Sequence, residues 1–483
     1  MIALTLTEVA AATAGRLHLP PDVDPDVVVV DGPVVTDSRE AAQGSLYVAR
    51  IGEHADGHEF VAGAVERGAV AALVSRPVDG VPCVVVDDSE TAFGTLAREV
   101  VRRVPGLEVV GITGSSGKTS TKDLLGAVLA TVGPTVAPVG SYNSEVGVPL
   151  TVCRVSSDTR FLVVEMGARG IGHVAHLAQV APPRVGVVLN VGTAHVGEFG
   201  SRAAIAQAKS ELVAALPADG VAVLNADDEA VRAMAAVTTA RVVLVGEAAD
   251  ADVRATDVSL DAGGRPTFTV ETRGGRRTVT LGLVGRHHVG NALAVLAAAT
   301  ELGMPFDQAC AALESAKAAS RWRMEVTERD DGVTIVNDAY NANPDSMRAA
   351  LSALARIGEG RRTWAVLGTM LELGEQSDAL HTEVGAAVVA HQVDELVVVG
   401  DAAAPLAAGA RAATGTASAT ATPGEHGPAG RSSRTRLVPD ADAAEALLRS
   451  ELRRGDVVLF KSSRDAGLRL LGDRLAGPRE ELT

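Results

Sequence analysis

Aromatic side chains make up only 2% of the 483 residues, so the cores of this chain must be built from Val, Leu and Ala rather than from stacked rings. Cysteine is nearly as scarce. Cys83, Cys153 and Cys310 lie far apart and form no C-x-x-C pair, which excludes a disulfide framework and a cysteine zinc site and fits a reducing cytosol. Positive charge is in deficit: 44 Lys and Arg face 60 Asp and Glu, and the formal net charge of −16 argues against a nucleic-acid or anionic-membrane partner. A phosphorylated small substrate stays admissible, because a few local cations and helix N-termini can make a positive site on an acidic protein. No run approaches ~18 consecutive apolar residues, and the opening MIALTLTEVAAATAG has no basic region, so neither membrane insertion nor an export signal is expected.

What is present is apolar substance, 47% of residues, enough for about three domains at ~150 residues each. The most informative stretch is Leu107 to Leu125, LEVVGITGSSGKTSTKDLL. It reads as a β-branched strand, a Gly/Ser turn and a helix opening at Lys118. That order suits a phosphate loop, since small residues let consecutive backbone N–H groups converge on phosphate oxygens where the helix dipole already favours negative charge. Lys118 would reach the outer phosphates and Thr119 would offer a hydroxyl to Mg²⁺. The strict G-x-x-x-x-G-K-[ST] spacing is missed by one place, because its first glycine falls on Ile112, so the loop is a variant.

Residues 1 to about 105 alternate short helical and strand patterns and predict a small α/β domain. Ser38 and Arg39 follow the strand pattern Val27 to Val30 and a turn; a hydroxyl and a guanidinium there could bind a diphosphate, but on spacing alone ordinary solvated loop residues are the favoured reading. From 106 to 318 the alternation lengthens, as in a mostly parallel sheet covered by helices on both faces. Phe161 to Val164 runs into Glu165, and Val185 to Leu189 runs into Asn190 with His195 just beyond. Ligands of open α/β sheets bind beyond the carboxyl ends of strands, so Glu165 and His195 are expected to share a crevice with the phosphate loop. Glu165 suits a hard cation, and His195 suggests a second metal position. Lys209 reads as an ordinary helix lysine. Residues 319 to 483 predict a third, Rossmann-like α/β domain, with Arg323, NDAYNANPDSM (337 to 347) and FKSSRDAG (460 to 467) as its chemically dense stretches. The Ala/Thr/Gly/Ser/Pro-rich segment 410 to 436 has few large apolar side chains and is expected to be a disordered surface loop.

The motifs GITGSSGKTSTKD, YNSEVGVPLT, EMG, NVGTAHVGEFGS and NDAYNANPDSM together resemble the Mur ligase family of ATP-dependent amide-forming enzymes of peptidoglycan synthesis, across essentially the whole chain outside 410 to 436. The last motif resembles the branch that adds D-alanyl-D-alanine to UDP-N-acetylmuramoyl-tripeptide, while the DNPR motif of the diaminopimelate-adding branch is absent. The resemblance implies that Gly114, Ser115, Ser116, Gly117, Lys118, Thr119 and Ser120 hold the ATP phosphates. It implies two Mg²⁺ ions, held by Thr119 and Glu165 and by His195, with Lys209 as a possible carbamoyl-lysine ligand. Asn143 would orient the acyl substrate. Asn291 would contact adenine, Asp338 the ribose, and Arg323 the phosphates. Ser38 and Arg39 would meet the UDP end, and Asn343 and Lys461 the dipeptide. A cytoplasmic monomer is expected. Three positions depart from the usual pattern: His288 where Asn is common, Thr369 where an acid is common, and Ser462 where Gly is frequent. A kinase or nucleotide hydrolase, and a non-catalytic nucleotide-sugar-binding protein, are the competing expectations.

Overall fold

A computed structural model describes residues 1–52, 55–193, 196–420 and 433–477, with side chains left undescribed from 416 to 420. Three large sheets organise it. A five-stranded sheet spans Arg16–His18, Cys83–Val85, Ala69–Val74, Ser45–Val48 and Val34–Val35 in spatial order. A six-stranded sheet runs in the order Glu325–Glu328, Thr334–Asn337, Val457–Lys461, Thr363–Leu367, Glu395–Val399 and Arg434–Val438, parallel throughout except at its first pair.

Between them in sequence lies a nine-stranded sheet. Strands Thr135–Val136, Phe161–Glu165, Glu108–Thr113, Val185–Val188, Val221–Asn225, Arg241–Gly246 and Val253–Leu260 are mutually parallel. Pro266–Thr272 and Gly275–Thr280 extend it antiparallel. The run of parallel strands is buried on both faces, which is why those segments read as nearly continuous Val and Leu. Alternation assigns the faces. Val109, Leu162 and Val164 enter one core, shared with the helix Ser89–Arg103, while Val110, Phe161 and Val163 enter the other, beneath the helices Lys118–Ala130 and His288–Glu301.

Strand order decides where a ligand can sit. Glu108–Thr113 is flanked by Phe161–Glu165 on one side and Val185–Val188 on the other, so the chain reverses direction across the sheet at this strand. Such a switch point leaves an open crevice beyond the strand ends. The phosphate-loop sequence occupies it.

The expectation of a disordered loop over 410 to 436 is overturned in part. Ala404–Thr420 is one helix, and Arg434–Val438 is an edge strand paired with Glu395–Val399; residues 421 to 432 lie outside the described residues. Small side chains are the reason. A Cβ on Gly385 would fall 2.0 Å from the Leu406 carbonyl oxygen, and one on Gly409 would fall 2.0 Å from that of Thr382, so this helix and Ser377–Ala390 approach backbone to backbone. Alanine has the highest helix propensity, and a close interface buries it well despite its size.

Candidate active site

The crevice at the switch point has a volume of about 880 Å³ and draws its lining from both large α/β units. Its floor is the Gly/Ser loop. Gly117 caps the helix Lys118–Ala130 at φ +83, a conformation that costs L side chains energy, and a Cβ there would lie 2.7 Å from Asn291 Oδ1. The loop is held from the neighbouring strand end: Asn190 accepts the Ser115 and Ser116 N–H groups at 3.1 and 2.9 Å, and its amide donates to the Ser116 carbonyl at 3.1 Å. Ser115 Oγ accepts the Gly192 N–H at 2.9 Å. The Lys118 ammonium folds back on the Gly114 carbonyl at 2.7 Å. Burial pushes its pKa below the usual lysine range, Glu165 opposes that shift, and Arg323 adds to it.

Arg323 comes from the start of the C-terminal unit. It donates from Nη2 to Thr119 Oγ1 at 3.0 Å, and its guanidinium lies 4.2 Å over the Tyr340 ring. Its neighbours Trp322 and Met324 both carry positive φ, 59 and 52, so the backbone turns sharply to aim it. Asp338 anchors the same corner. Its Oδ1 accepts the Met324 N–H at 3.0 Å and its Oδ2 meets the Lys461 ammonium at 2.5 Å.

Ser115, Ser116, Gly117, Lys118, Thr119, Ser120, Asn143, Lys209, Asn291, Arg323, Asp338, Asn343 and Lys461 all line the crevice. Glu165 lies behind the wall rather than in it. It ends its strand buried, with Oε2 accepting the Ser141 hydroxyl at 3.2 Å and Oε1 buried without a hydrogen-bond partner. An uncompensated carboxylate oxygen beside a threonine-bearing phosphate loop fits a hard cation. Among the described residues, no three His, Cys, Asp or Glu side chains gather as a preformed metal site, and His195 lies outside the described residues. Ser38 and Arg39 do not line the crevice. Arg39 is instead forked onto Asp37, which it holds at a pKa of about 2.

Lys209, on the helix Arg202–Ala214, is buried; desolvation, with Lys118 adding like-charge repulsion, lowers its pKa to about 7. His288 is likewise held well below the imidazole range by burial, and its Nδ1 sits 3.3 Å from Asn291 Nδ2, so the neutral ring orients that amide. Asn343 is committed to capping the helix Pro344–Ile357, accepting the Ser346 N–H at 2.9 Å. The Lys461 ammonium is spent on Asp338 and on the carbonyls of Asp338 and Asn341. The other two departures lie under the crevice: Thr369 accepts the Ser463 N–H through its carbonyl, and the buried Ser462 hydroxyl donates to the Ser463 carbonyl.

Sequence reasoning overlooked Ser141, Arg202 and Asp228, and took in Asp345 only as part of the stretch 337 to 347. Asp228 accepts the Val191 N–H at 2.8 Å and Arg202 donates to the Val191 carbonyl at 2.9 Å, so together they hold the loop that follows Val185–Val188. The strand-end rule applied to Val221–Asn225 would have flagged Asp228, three residues beyond. Among the described residues, no helix is long and apolar enough to cross a membrane.

Comparisons with known proteins agree with this geometry. Three family models match in succession: "Mur ligase family, catalytic domain" over residues 33–105, "Mur ligase middle domain" over 112–299 and "Mur ligase, glutamate ligase domain" over 322–464. The UDP-N-acetylmuramoyl-tripeptide--D-alanyl-D-alanine ligase of Mycobacterium bovis is 48% identical, with 98% of each chain covered. Among solved structures, MurF from Acinetobacter baumannii superimposes with a TM-score of 0.85 at 30% identity, covering 99% of both chains. MurF ligase from Thermotoga maritima in complex with ADP gives 0.78 at 30% identity, covering 92% of this chain and 97% of that one. With a crevice of this construction and relatives this similar along nearly its whole length, the chain belongs to the Mur ligase family.

Proposed function

We propose that this chain joins D-alanyl-D-alanine to UDP-N-acetylmuramoyl-tripeptide at the expense of ATP, forming the pentapeptide, ADP and phosphate in cytoplasmic peptidoglycan precursor synthesis. One observation carries the reading: Arg323, from beyond residue 320, meets Thr119 of the phosphate loop inside a crevice shared by both units. The same unit carries Asn343 and Lys461 to the crevice, so a second substrate has a place beside the phosphate loop. A ligase needs such a place, because it must align a second acceptor.

In the first step a terminal carboxylate oxygen of the tripeptide attacks the γ-phosphorus, and the bond from phosphorus to the ADP oxygen breaks. The dipeptide amine then attacks the acyl phosphate carbon, loses a proton, and phosphate departs. Both steps crowd anionic oxygens, so the chain's contribution is alignment and positive potential. The N–H groups of Gly117 to Ser120 at the start of the helix cradle the phosphates, with Asn190 holding the preceding Ser115 and Ser116 N–H groups, while Lys118 leaves the Gly114 carbonyl to meet the outer ones. Arg323, held flat by Tyr340, brings its guanidinium to the transferring group. Asn143, whose amide donates to Ser141 Oγ at 2.9 Å, lies on the acyl side, and Asn291 and Asp338 flank the nucleoside.

Thr119 and Glu165 would hold Mg²⁺, with His195 and Lys209 at a second ion; magnesium would supply positive charge against the phosphates. A lysine with a pKa near 7 has a substantial neutral fraction at physiological pH, the form that reacts with CO₂, which supports carbamoylation of Lys209. Ser38 and Arg39 meet the UDP end of the substrate, outside the crevice. Lys461 and Asn343 shape the dipeptide side by fixing residues 338 to 343.

The deciding experiment measures phosphate release with Mg²⁺, bicarbonate and UDP-N-acetylmuramoyl-tripeptide, with and without D-alanyl-D-alanine, followed by product mass. Release that requires the dipeptide and yields the pentapeptide is the expected result. ATP turnover without the dipeptide, or incorporation of another amino acid in its place, overturns the assignment.

A further inference from the structure

One turn beyond Lys118 and Thr119, the same helix buries a charged pair outside the crevice lining. Lys122 is 0% exposed and Asp123 is 7% exposed, with Nζ and Oδ1 2.7 Å apart. The ammonium is saturated: beside Asp123 it donates to the carbonyls of Pro138 and, at 3.0 Å, Gly140. The second Asp123 oxygen accepts the Ser320 N–H at 2.8 Å, and Ser320 Oγ accepts the Gly140 N–H at 3.0 Å. A closed ring of contacts thus ties the phosphate helix to the segment 138 to 140 and to the junction at Ser320.

Both tethered segments lead straight to the reaction centre. Residues 138 to 140 continue into Ser141, which donates to Glu165, and Asn143, which donates to Ser141. Ser320 continues into the strained Trp322–Met324 turn that aims Arg323 at Thr119. Stability alone does not account for the pair, since replacing a buried ion pair with apolar residues of similar volume is often neutral or stabilising.

We propose that Lys122 and Asp123 are positioning residues, a clamp that sets Asn143 and Arg323 on opposite sides of the phosphate loop. The inference builds on the ligase reading but is testable apart from it. Removing the clamp lowers kcat by about 100-fold, as expected for misplacement of about 1 Å. KM for ATP changes by less than about threefold, because the loop that binds phosphate stays intact.

The test compares the wild-type chain with the double variant Lys122→Met, Asp123→Leu and with Ser320→Ala, following melting temperature, ligation kinetics and the change in Trp322 emission on adding a non-hydrolysable ATP analogue. The clamp predicts a double variant that melts at or above the wild-type temperature yet ligates slowly, with a diminished Trp322 response. A stable double variant with wild-type kcat and Trp322 response overturns it. Should the double variant fail to fold, Ser320→Ala decides: slowed turnover at unchanged melting temperature supports the clamp, and wild-type turnover and emission refute it. A wild-type chain that joins no dipeptide sinks the ligase reading alone, since the Trp322 response still tests the clamp.

Discussion

The Asp345 carboxylate accepts both the backbone N–H of Thr193, at 3.0 Å, and its hydroxyl, at 3.3 Å, so the first turn of the helix Pro344–Ile357 is latched to the loop following the Val185–Val188 strand. That loop includes Asn190, whose side chain holds Ser116, so the latch connects the C-terminal unit to the phosphate loop in a few bonds. The fit is tight. A Cβ on Gly192 would lie 2.3 Å from Asp345 Oδ2.

Asp345→Ala removes one side of this latch and Gly192→Ala obstructs the other. Each is expected to raise KM for the dipeptide by about tenfold, the equivalent of one or two lost hydrogen bonds. Steady-state kinetics of both single variants and the double variant provide the check. Effects that simply add would show that the two positions do not act through one contact.

Arg323→Lys keeps the charge but loses the planar group that stacks on Tyr340 while reaching Thr119. A fall in kcat of about 100-fold is expected, in the range of losing one preorganised transition-state donor. Tyr340→Leu, which removes only the ring face, should cost several-fold. Equal rates for Arg323→Lys and wild type would remove the guanidinium from the mechanism.

Glu165→Gln should separate stability from activity. The Glu165 Oε1 atom is buried without a hydrogen-bond partner, so neutralising this carboxyl is expected to leave the melting temperature unchanged or raised without Mg²⁺. The Mg²⁺ concentration for half-maximal turnover should rise at least tenfold. An unchanged Mg²⁺ requirement would exclude Glu165 as a ligand.

Lys209 sets a pH dependence whose sign follows from its depressed pKa of about 7. In the unfolded chain the amine stays protonated to about pH 10.4. Between those values the unfolded state binds the extra proton, so this group's contribution makes the folded state more stable as pH rises. Below about 7 both states are charged and the full burial penalty remains. Lys209→Met, measured without bicarbonate, should therefore raise the melting temperature relative to wild type more at pH 6 than at pH 9, and should abolish ligation. A stability gain independent of pH would mean that the wild-type amine is not titrating as a buried cation.

Range separates the contacts legible in the sequence from those that are not. Leu107 to Leu125 was legible because strand, loop and helix are contiguous, so the Gly/Ser turn, Lys118 and Thr119 fall within a few residues of one another. Glu165 and Asn190 were legible for a related reason: parallel strands end at a common edge, so a polar residue following a β-branched run has a foreseeable position. The segment 410 to 420 was misread because low side-chain volume signals disorder in isolation but close helix packing when Gly385 and Gly409 face a partner backbone.

By itself the sequence determined the α/β alternation, the phosphate loop and the set of residues at the strand ends, because propensity, periodicity and local spacing act over a few residues. Only the tertiary structure decided that Arg323 reaches Thr119, that Asp345 latches Thr193, and that Lys461 is consumed by Asp338. Those pairs are separated by 204, 152 and 123 residues, and their contacts depend on how two sheets are set against each other. Hydrogen bonding is satisfied by whichever partner packing brings within reach, so a side chain's role is settled by its neighbours in space.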